Sequence, residues 1–268
     1  RCAGVKINPR SVTRIGSRMA RPEKAKDRSA KAPSHTIFPI GMNGGPQRLM
    51  EKAAEKGTVN VELGVRKCQQ CGEHRVYYKC PCGGHTVPVG ESKEVPVNLS
   101  EELNKAKKAL GERAIPPKLK GEKVLRSKDM CPEPLEKGIL RRKHEIYVNK
   151  DGTIRFDLTD VPLTHFRPRE IGLSVEKARE LGYEHDIHDR PLTDPEQLCE
   201  LKVQDIVPSN SCGDFMVRVA DFIDDLLERF YDLPRYYKAK AREDIIGHLA
   251  IGLAPHTSGG ILCRIIGF

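Results

Sequence analysis

Four cysteines lie within fifteen residues, in the segment CQQCGEHRVYYKCPC. Cys68 and Cys71 are separated by two residues, and Cys80 and Cys82 are separated by one. A Cys-x-x-Cys turn presents two thiolates to one ion, and zinc takes four such ligands in a tetrahedron. The sequence therefore predicts a structural zinc site at these four cysteines, and the metal would stabilise a lobe that has few apolar residues of its own.

The spacing leaves the fourth ligand of this site open, because a one-residue spacer is shorter than the usual two. His74 or His85 could replace Cys80 or Cys82, and the alternatives to zinc are free thiols or a redox pair. The other cysteines are scattered and expected in cores, although an intracellular hyperthermophile protein could link two of them. They are Cys2, Cys131, Cys199, Cys212 and Cys263, of which Cys199 and Cys212 are the candidate pair.

The positive charge of the chain is concentrated at its start. The net charge is +9, and residues 1–31 hold ten Lys or Arg against only Glu23 and Asp27. Such a segment attracts a polyanion in a salt-dependent way, and its alternative is a solvated, partly disordered basic tail. The candidate nucleic-acid contacts in this segment are Arg14, Arg18, Arg21 and Arg28.

The composition favours several small lobes over one deep core. Hydrophobic residues make up 38% and charged residues 31% of 268 residues, which is polar for a compact domain of this size. No apolar run is long enough to cross a bilayer and no signal peptide begins the sequence. We therefore expect a cytoplasmic protein without membrane contact. The first residue is not Met, and both ends look cut from something longer.

The hydrophobic periodicity predicts an α+β protein built from separate modules. Residues 58–67 alternate like a strand, and a helix that Ser100 can cap runs from Leu99 to Leu110. Asp151-Gly152 predicts a two-residue hairpin turn between residues 144–150 and 153–158. Further helices are predicted after Ser174, over residues 213–233 and over residues 242–253. The helix over residues 213–233 has an acidic face at Asp221, Asp224, Asp225 and Glu228, of which Asp221, Asp224 and Asp225 are interpreted as solvated surface.

These elements suggest four segments. Residues 1–60 form a basic segment, residues 61–97 a zinc-binding lobe, and residues 98–131 a helix followed by a Pro- and Lys-rich linker. Residues 132–268 hold the hairpin and the helical part.

Long strings of this chain resemble one family, the large subunit of archaeal family-D DNA polymerase. They are RIGSRMARPEKAKDR (residues 14–28), HTIFPIGMNGGPQR (residues 35–48), most of residues 132–172, and residues 233–268. The cysteine cluster sits at the matching distance behind the first two strings. The resemblance covers nearly the whole chain.

The resemblance implies a fold and an activity. The fold would be part of a core of double-psi β-barrels, with an inserted zinc-binding lobe and C-terminal helices. The activity would be DNA-directed DNA synthesis by phosphoryl transfer with two Mg²⁺ ions on a DNA primer-template. The partners would be a small 3'-5' exonuclease subunit and the sliding clamp. Arg21, Lys24 and Lys26 match the family's segment that faces the active site, where Lys24 and Lys26 would hold reacting phosphates. His165, Arg167 and Arg169 are weaker candidates for contacts to the backbone of a template or product.

One departure from the family pattern concerns the metal-binding carboxylates. The family's Asp-Gly-Asp cluster lies beyond Phe268, and the single Asp-Gly here is explained by the hairpin turn. Two-metal phosphoryl transfer needs clustered carboxylates, so the fragment alone is expected to be inactive. The alternative is a stand-alone, zinc-stabilised nucleic-acid-binding module without catalysis. A third interpretation is an assembly segment that docks the small subunit through the acidic helix at residues 221–228.

Overall fold

The computed structural model describes residues 18–19, 34–154, 156, 163–253 and 260–268. The described chain contains nine strands and five α-helices, and it divides into two compact units. The described residues of unit 1 are 34–154 and 225–234, and the remaining described residues form unit 2. The coarse prediction of a mixed α/β protein with small sheets is confirmed. None of the helices in the described ranges is long and apolar enough to cross a membrane.

Unit 1 is built on a three-stranded antiparallel sheet. Strands β2 (Thr58–Cys68), β3 (His74–Arg75) and β4 (Thr86–Asn98) lie in the order β3-β2-β4. The register of β2 and β4 runs from Thr58 opposite Asn98 to Cys68 opposite Thr86 and shifts once, between Gly64 and Arg66. Buried and exposed residues alternate along the first half of β2, as a strand with one face on a core requires.

Helices α1 (Met50–Ala54), α2 (Leu99–Ala109) and α3 (Leu135–Lys143) complete unit 1. The side chain of Asn98, rather than the expected Ser100, caps α2 by accepting the Glu101 N–H at 3.2 Å. Residues 112–133 contain the buried side chains of Leu119 and Glu122. The largest fully buried side chains of this unit are Ile40, Met50, Leu63, Leu99, Leu119, Ile139, Leu140 and Ile146.

Unit 2 is built on a mixed four-stranded sheet in the order β1-β8-β9-β7. Its central strands β8 (Leu249–Leu253) and β9 (Gly260–Ile265) are antiparallel. The outer strands β1 (Arg18–Met19) and β7 (Asp205–Ile206) pair in parallel with β8 and β9 respectively. A second small sheet joins β5 (His165–Phe166) and β6 (Cys199–Glu200), and the short helix α4 spans Val175–Glu180.

Helix α5 spans Asn210–Asp225, and a π-helical turn follows it at Leu226–Phe230. The Ser209 hydroxyl accepts the Cys212 N–H at 3.3 Å at the start of α5. One row of its buried residues follows a four-residue spacing through Cys212, Met216, Ala220 and Asp224. The Tyr231 N–H donates to the Leu226 carbonyl at 3.1 Å, which is the i to i+5 bond of a π-turn.

The acidic face predicted for this helix is not solvated as a whole. Asp224 is 0% exposed and Asp225 is 4% exposed. The Asp225 carboxylate lies 2.9 Å from His144 Nε2 and 3.2 Å from Lys143 Nζ. These partners hold the pKa of Asp225 below its ordinary value, although burial opposes that shift. The interpretation of both residues as solvated surface was wrong, because distant residues supply the donors that make a buried carboxylate stable.

The helix predicted over residues 242–253 is also wrong. A 3-10 helix spans Arg242–Ile245, and strand β8 begins at Leu249. Gly247 lies between them with a φ of +91°, a backbone conformation that helices do not contain. Ile245, Leu249 and Leu253 are spaced by four residues, and this spacing places side chains on one side of a strand as well as a helix.

A tight turn is present at the predicted place, but it encloses Lys150, Asp151 and Gly152 rather than two residues. The strand predicted over residues 144–150 is not formed. The Asn149 N–H donates to the Thr153 carbonyl at 2.9 Å, and Gly152 has a φ of +82°. Val148 forms its bridge with Ser34, through N–H···O bonds of 3.3 and 2.7 Å. Residues 155 and 157–162 lie outside the described residues, so the second strand stays a prediction.

Candidate metal centre

The cysteine cluster lies where the sheet of unit 1 ends. Cys68 is the last residue of β2, and Cys71, Cys80 and Cys82 follow in the loops between β2 and β4. The four Sγ atoms all lie within 4.8 Å of one another. Cys68 Sγ is 3.6 Å from Cys82 Sγ, and Cys71 Sγ is 3.5 Å from Cys80 Sγ. A tetrahedron with Zn–S bonds of ~2.3 Å has S···S edges of about 3.8 Å, so the cluster has the dimensions of a zinc site.

Two tight turns hold the sulfurs in place. Gly72 follows the first pair with a φ of +77°, and Gly83 follows the second with a φ of +88°, a region that glycine enters without strain. A Cβ on Gly84 would lie 2.8 Å from Cys68 Sγ, so this position must be a glycine. The Gln70 N–H donates to Cys68 Sγ at 3.4 Å, as in turns that stabilise a metal-bound thiolate.

The surroundings favour ionised sulfur at two of the four cysteines. The Cys82 N–H and the Arg75 guanidinium lower the pKa of Cys80 to about 6, and Arg75 Nε lies 3.4 Å from Cys80 Sγ. The Cys71 N–H lowers the pKa of Cys68. The Glu73 N–H also acts to lower the pKa of Cys71, but the sulfurs of Cys68 and Cys80 raise it to about 12. Ionising Cys71 together with its neighbours would therefore require a cation among the four sulfurs.

Arg66 supports the cluster from the neighbouring part of β2. It is 5% exposed, and it donates to the Thr86 hydroxyl at 3.0 Å, to the Thr86 carbonyl at 2.9 Å and to the Asp129 carbonyl at 3.0 Å. Its guanidinium lies 4.6 Å from the centre of the Tyr78 ring, within cation–π range. Arg66 thus links β2, which leads into the metal lobe, to the first residue of β4, which leads out of it, and also to Asp129.

The arrangement can hold one divalent ion in a closed tetrahedron of sulfur. The group of potential ligands contains Cys82 and neither His74 nor His85. Four protein ligands leave no open position for a substrate or water, which is typical of structural zinc sites. The sequence pattern thus brought together the four cysteines that it named. It did not reveal Arg66 and Arg75, whose only signal was their position beside the motif.

The other described cysteines, Cys131, Cys199, Cys212 and Cys263, are free thiols, and Cys2 lies outside the described residues. Cys199 lies in one hydrophobic cluster of unit 2, with Phe166 and Leu192, whereas Cys212 lies in another with Met216 and Ile245. The disulfide considered for Cys199 and Cys212 is not formed. Burial raises the pKa of both thiols, as expected for unreactive core cysteines.

The candidate nucleic-acid contacts fall into two groups. Arg14, Arg21, Lys24, Lys26 and Arg28 lie outside the described residues, and only the backbone of Arg18 is described, in β1.

The second group lies on the surface of unit 2. His165 is exposed in β5. Arg167 forms an ion pair with Glu170 at 3.0 Å, and Arg169 forms one with Glu196. These ion pairs balance the charges of the two arginines within unit 2.

Comparison with known proteins gives the family. Residues 111–268 match "DNA polymerase II large subunit DP2, catalytic domain", and residues 1–101 match "DNA polymerase II large subunit DP2, central domain". The chain belongs to the family of the DNA polymerase II large subunit, which is the archaeal family-D polymerase that the sequence resembles.

Three curated relatives carry the name DNA polymerase II large subunit. The protein of Methanocella arvoryzae is 50% identical over 99% of this chain and 26% of its own length. The protein of Methanothermobacter thermautotrophicus is 49% identical over 100% of this chain and 24% of its own length. The protein of Pyrococcus abyssi is 48% identical over 98% of this chain and 20% of its own length. The chain spans about a quarter of the length of these relatives.

Proposed function

We propose that this chain is part of the large subunit of a replicative DNA-directed DNA polymerase. The observation that carries the proposal is an alignment that covers nearly the whole chain. The aligned relatives are named DNA polymerase II large subunit, and about half of the aligned residues are identical. Both the central and the catalytic domain of that family are represented. The substrate is a DNA primer-template, and the reaction is template-directed nucleotidyl transfer.

The zinc lobe, residues 61–97, has a structural role in this proposal. The sulfur tetrahedron and the buried Arg66 support a site that fixes the ends of β2 and β4. Zinc at Cys68, Cys71, Cys80 and Cys82 would hold the loops between these strands, which contain few buried apolar side chains.

The mixed sheet of unit 2 supports a place in a double-psi β-barrel core. Such barrels combine parallel and antiparallel neighbouring strands. Here β1 pairs in parallel with β8, β7 pairs in parallel with β9, and β8 and β9 are antiparallel. We assign residues 1–60 to this core together with the strands near the end of the chain. The boundaries at residues 61, 98 and 132 belong to the same proposal.

The phosphate-facing roles rest on the resemblance of residues 14–28. In this proposal Lys24 and Lys26 hold reacting phosphates, whereas Arg14, Arg18, Arg21 and Arg28 contact DNA, as do His165, Arg167 and Arg169. Two Mg²⁺ ions supply the charge neutralisation for phosphoryl transfer, and their carboxylate ligands come from outside these residues. The partners are a small exonuclease subunit and the sliding clamp.

Primer extension by the assembled polymerase tests this function. The large subunit that contains this chain is combined with the small subunit, Mg²⁺ and a labelled primer-template. Replacing Lys24 and Lys26 by Ala is expected to lower the rate of nucleotide incorporation by about 10²–10³-fold, as loss of charge-stabilising donors does elsewhere. The control variant replaces Lys52 and Lys108, two exposed lysines of α1 and α2, and keeps the wild-type rate.

Two results contradict parts of the proposal. Normal extension by the Lys24 and Lys26 variant would refute their phosphate-facing role. An assembled complex that binds primer-template but extends no primer would refute the polymerase function and favour the nucleic-acid-binding module without catalysis.

A further inference from the structure

Residues 235–242 form a basic strap. It follows the π-helical turn in sequence and ends at Arg242, the first residue of the 3-10 helix Arg242–Ile245. Its sequence, RYYKAKAR, holds four Lys or Arg and no acidic residue. The backbone between Tyr236 and Ala241 belongs to no helix or strand. A segment of this kind normally has many conformations, so what fixes its shape is informative.

Two carboxylates fix the backbone of the strap from within unit 2. The Asp224 carboxylate accepts the N–H groups of Tyr236 at 2.8 Å, Tyr237 at 2.9 Å and Lys238 at 2.7 Å. The Asp244 carboxylate accepts the N–H groups of Lys240 at 2.8 Å and Ala241 at 3.0 Å. Five of the backbone donors are therefore satisfied, and the strap is held in one conformation.

The same arrangement decides which charges remain at the surface. Ala239 is 3% exposed and anchors the strap, while the flanking Lys238 and Lys240 are exposed. Neither ammonium group forms an ion pair with a carboxylate of the described residues. The N–H groups of Lys240 and Ala241 lower the pKa of Asp244, and the charge of the Lys240 ammonium lowers it further to a smaller extent.

A surface depression lies between α5 and the strap, with a volume of about 370 Å³. Three of its lining residues are cationic (Arg218, Lys240 and Arg242) and two are acidic (Asp214 and Glu243). Arg242 Nε lies 3.3 Å from Asp214 Oδ1, so this pair is balanced internally. Lys240, which lines the depression, and Lys238, two residues earlier on the strap, are left to meet an external anion.

We propose that the basic strap binds the phosphodiester backbone of duplex DNA, with Lys238 and Lys240 each neutralising a phosphate. A rigid backbone that presents two ammonium groups without carboxylate partners suits a polyanion, because phosphate contacts position nucleic acid without reading its sequence. This inference rests on the proposed function for the identity of the polyanion. It assigns phosphate contacts to residues other than those of the segment 14–28.

Salt-dependent binding to a labelled duplex tests the strap directly with the full 268-residue chain. Each phosphate contact to B-DNA contributes ~0.9 to the slope of log affinity against log salt, so replacing Lys238 and Lys240 by Gln lowers the slope by about 1.8. Between about 50 and 200 mM salt, the wild-type affinity is then expected to fall roughly tenfold more than that of the variant. Thermal unfolding of the variant checks that the fold is retained.

The matched control replaces Lys52 and Lys108 by Gln, which removes the same charge from exposed positions in unit 1. Its slope is expected to equal that of the wild type. A strap variant with the wild-type slope would overturn the inference and indicate another occupant, such as an acidic protein. An equal fall in the control would also overturn it, because total charge would then explain the effect. The assay needs no DNA synthesis, so failure of primer extension with a strap-dependent slope would refute only the polymerase function.

Discussion

Replacing Asp224 by Asn should destabilise unit 2 locally, although the side chain hardly changes in size. Asp224 is 0% exposed, and Oδ1 accepts the Tyr236 and Tyr237 N–H groups while Oδ2 accepts the Lys238 N–H. Asn keeps one carbonyl oxygen for the first two donors. Its NH₂ group then faces the Lys238 N–H, so that two donors oppose each other.

The magnitude follows from these three bonds. Leaving the Lys238 N–H unsatisfied against the buried side chain of residue 224 costs about 1–3 kcal/mol. The other two bonds change from charge-assisted to neutral acceptors, and charge-assisted bonds are roughly twice as strong. We therefore expect the free energy of unfolding to fall by about 2–4 kcal/mol for Asp224→Asn. Asp224→Ala loses all three bonds and should cost more.

Hydrogen exchange of a peptide that spans the strap measures this effect where it arises. The N–H groups of Tyr236, Tyr237 and Lys238 are expected to lose protection in Asp224→Asn, and urea unfolding gives the accompanying change in stability. Asp221→Asn is the control, because this half-buried residue lies one turn earlier on α5 and should change stability by less than about 0.5 kcal/mol. Wild-type protection in Asp224→Asn would refute the assigned role of the carboxylate.

Three further predictions concern unit 1. Cys68→Ser should reduce bound zinc from about one ion per chain, measured by elemental analysis, whereas Cys131→Ser should retain it. Gly64→Ala should lower the free energy of unfolding by about 1–3 kcal/mol, because a Cβ there would lie 1.7 Å from the Lys128 carbonyl oxygen. An unchanged unfolding midpoint would contradict this packing. Burial and nearby cations lower the pKa of His35 to about 3, so its neutral form stabilises the fold above pH ~6.5 and that contribution is lost as pH falls towards 3. The free energy of unfolding should therefore change with pH by up to about 1.4 kcal/mol per pH unit. Urea unfolding of His35→Gln should lack this dependence, and an equal dependence in that variant would assign it to other groups.

Local patterns predicted the parts of this molecule whose causes are local. Strand β2 followed from alternation over residues 58–67. Helix α4 follows its predicted cap Ser174, whose hydroxyl accepts the Lys177 N–H at 3.2 Å. The cysteine cluster was predictable because its ligands lie within fifteen residues. In each case the residues that determine the structure are neighbours in sequence.

Residues whose partners are distant in sequence could not be assigned in this way. Asp225 looked like solvated surface because His144, its partner at 2.9 Å, lies 81 residues earlier. Val148 looked like a hairpin residue, but it pairs with Ser34. Strand β8 was mistaken for a helix because its four-residue spacing fits both periods, and only pairing with β9 distinguishes them.

The π-helical turn at Leu226–Phe230 has a consequence for how this family's sequences tolerate insertions and deletions. A π-turn carries one residue more than the corresponding α-turn, so deleting one residue there would restore ordinary helical bonding. The same deletion would rotate the following residues by about 100°. Phe230 is buried and Lys137 Nζ lies 5.3 Å from its ring, so this packing would be lost. A one-residue gap at this position in an aligned homologue would therefore indicate a different helix end, with a different set of side chains facing α3.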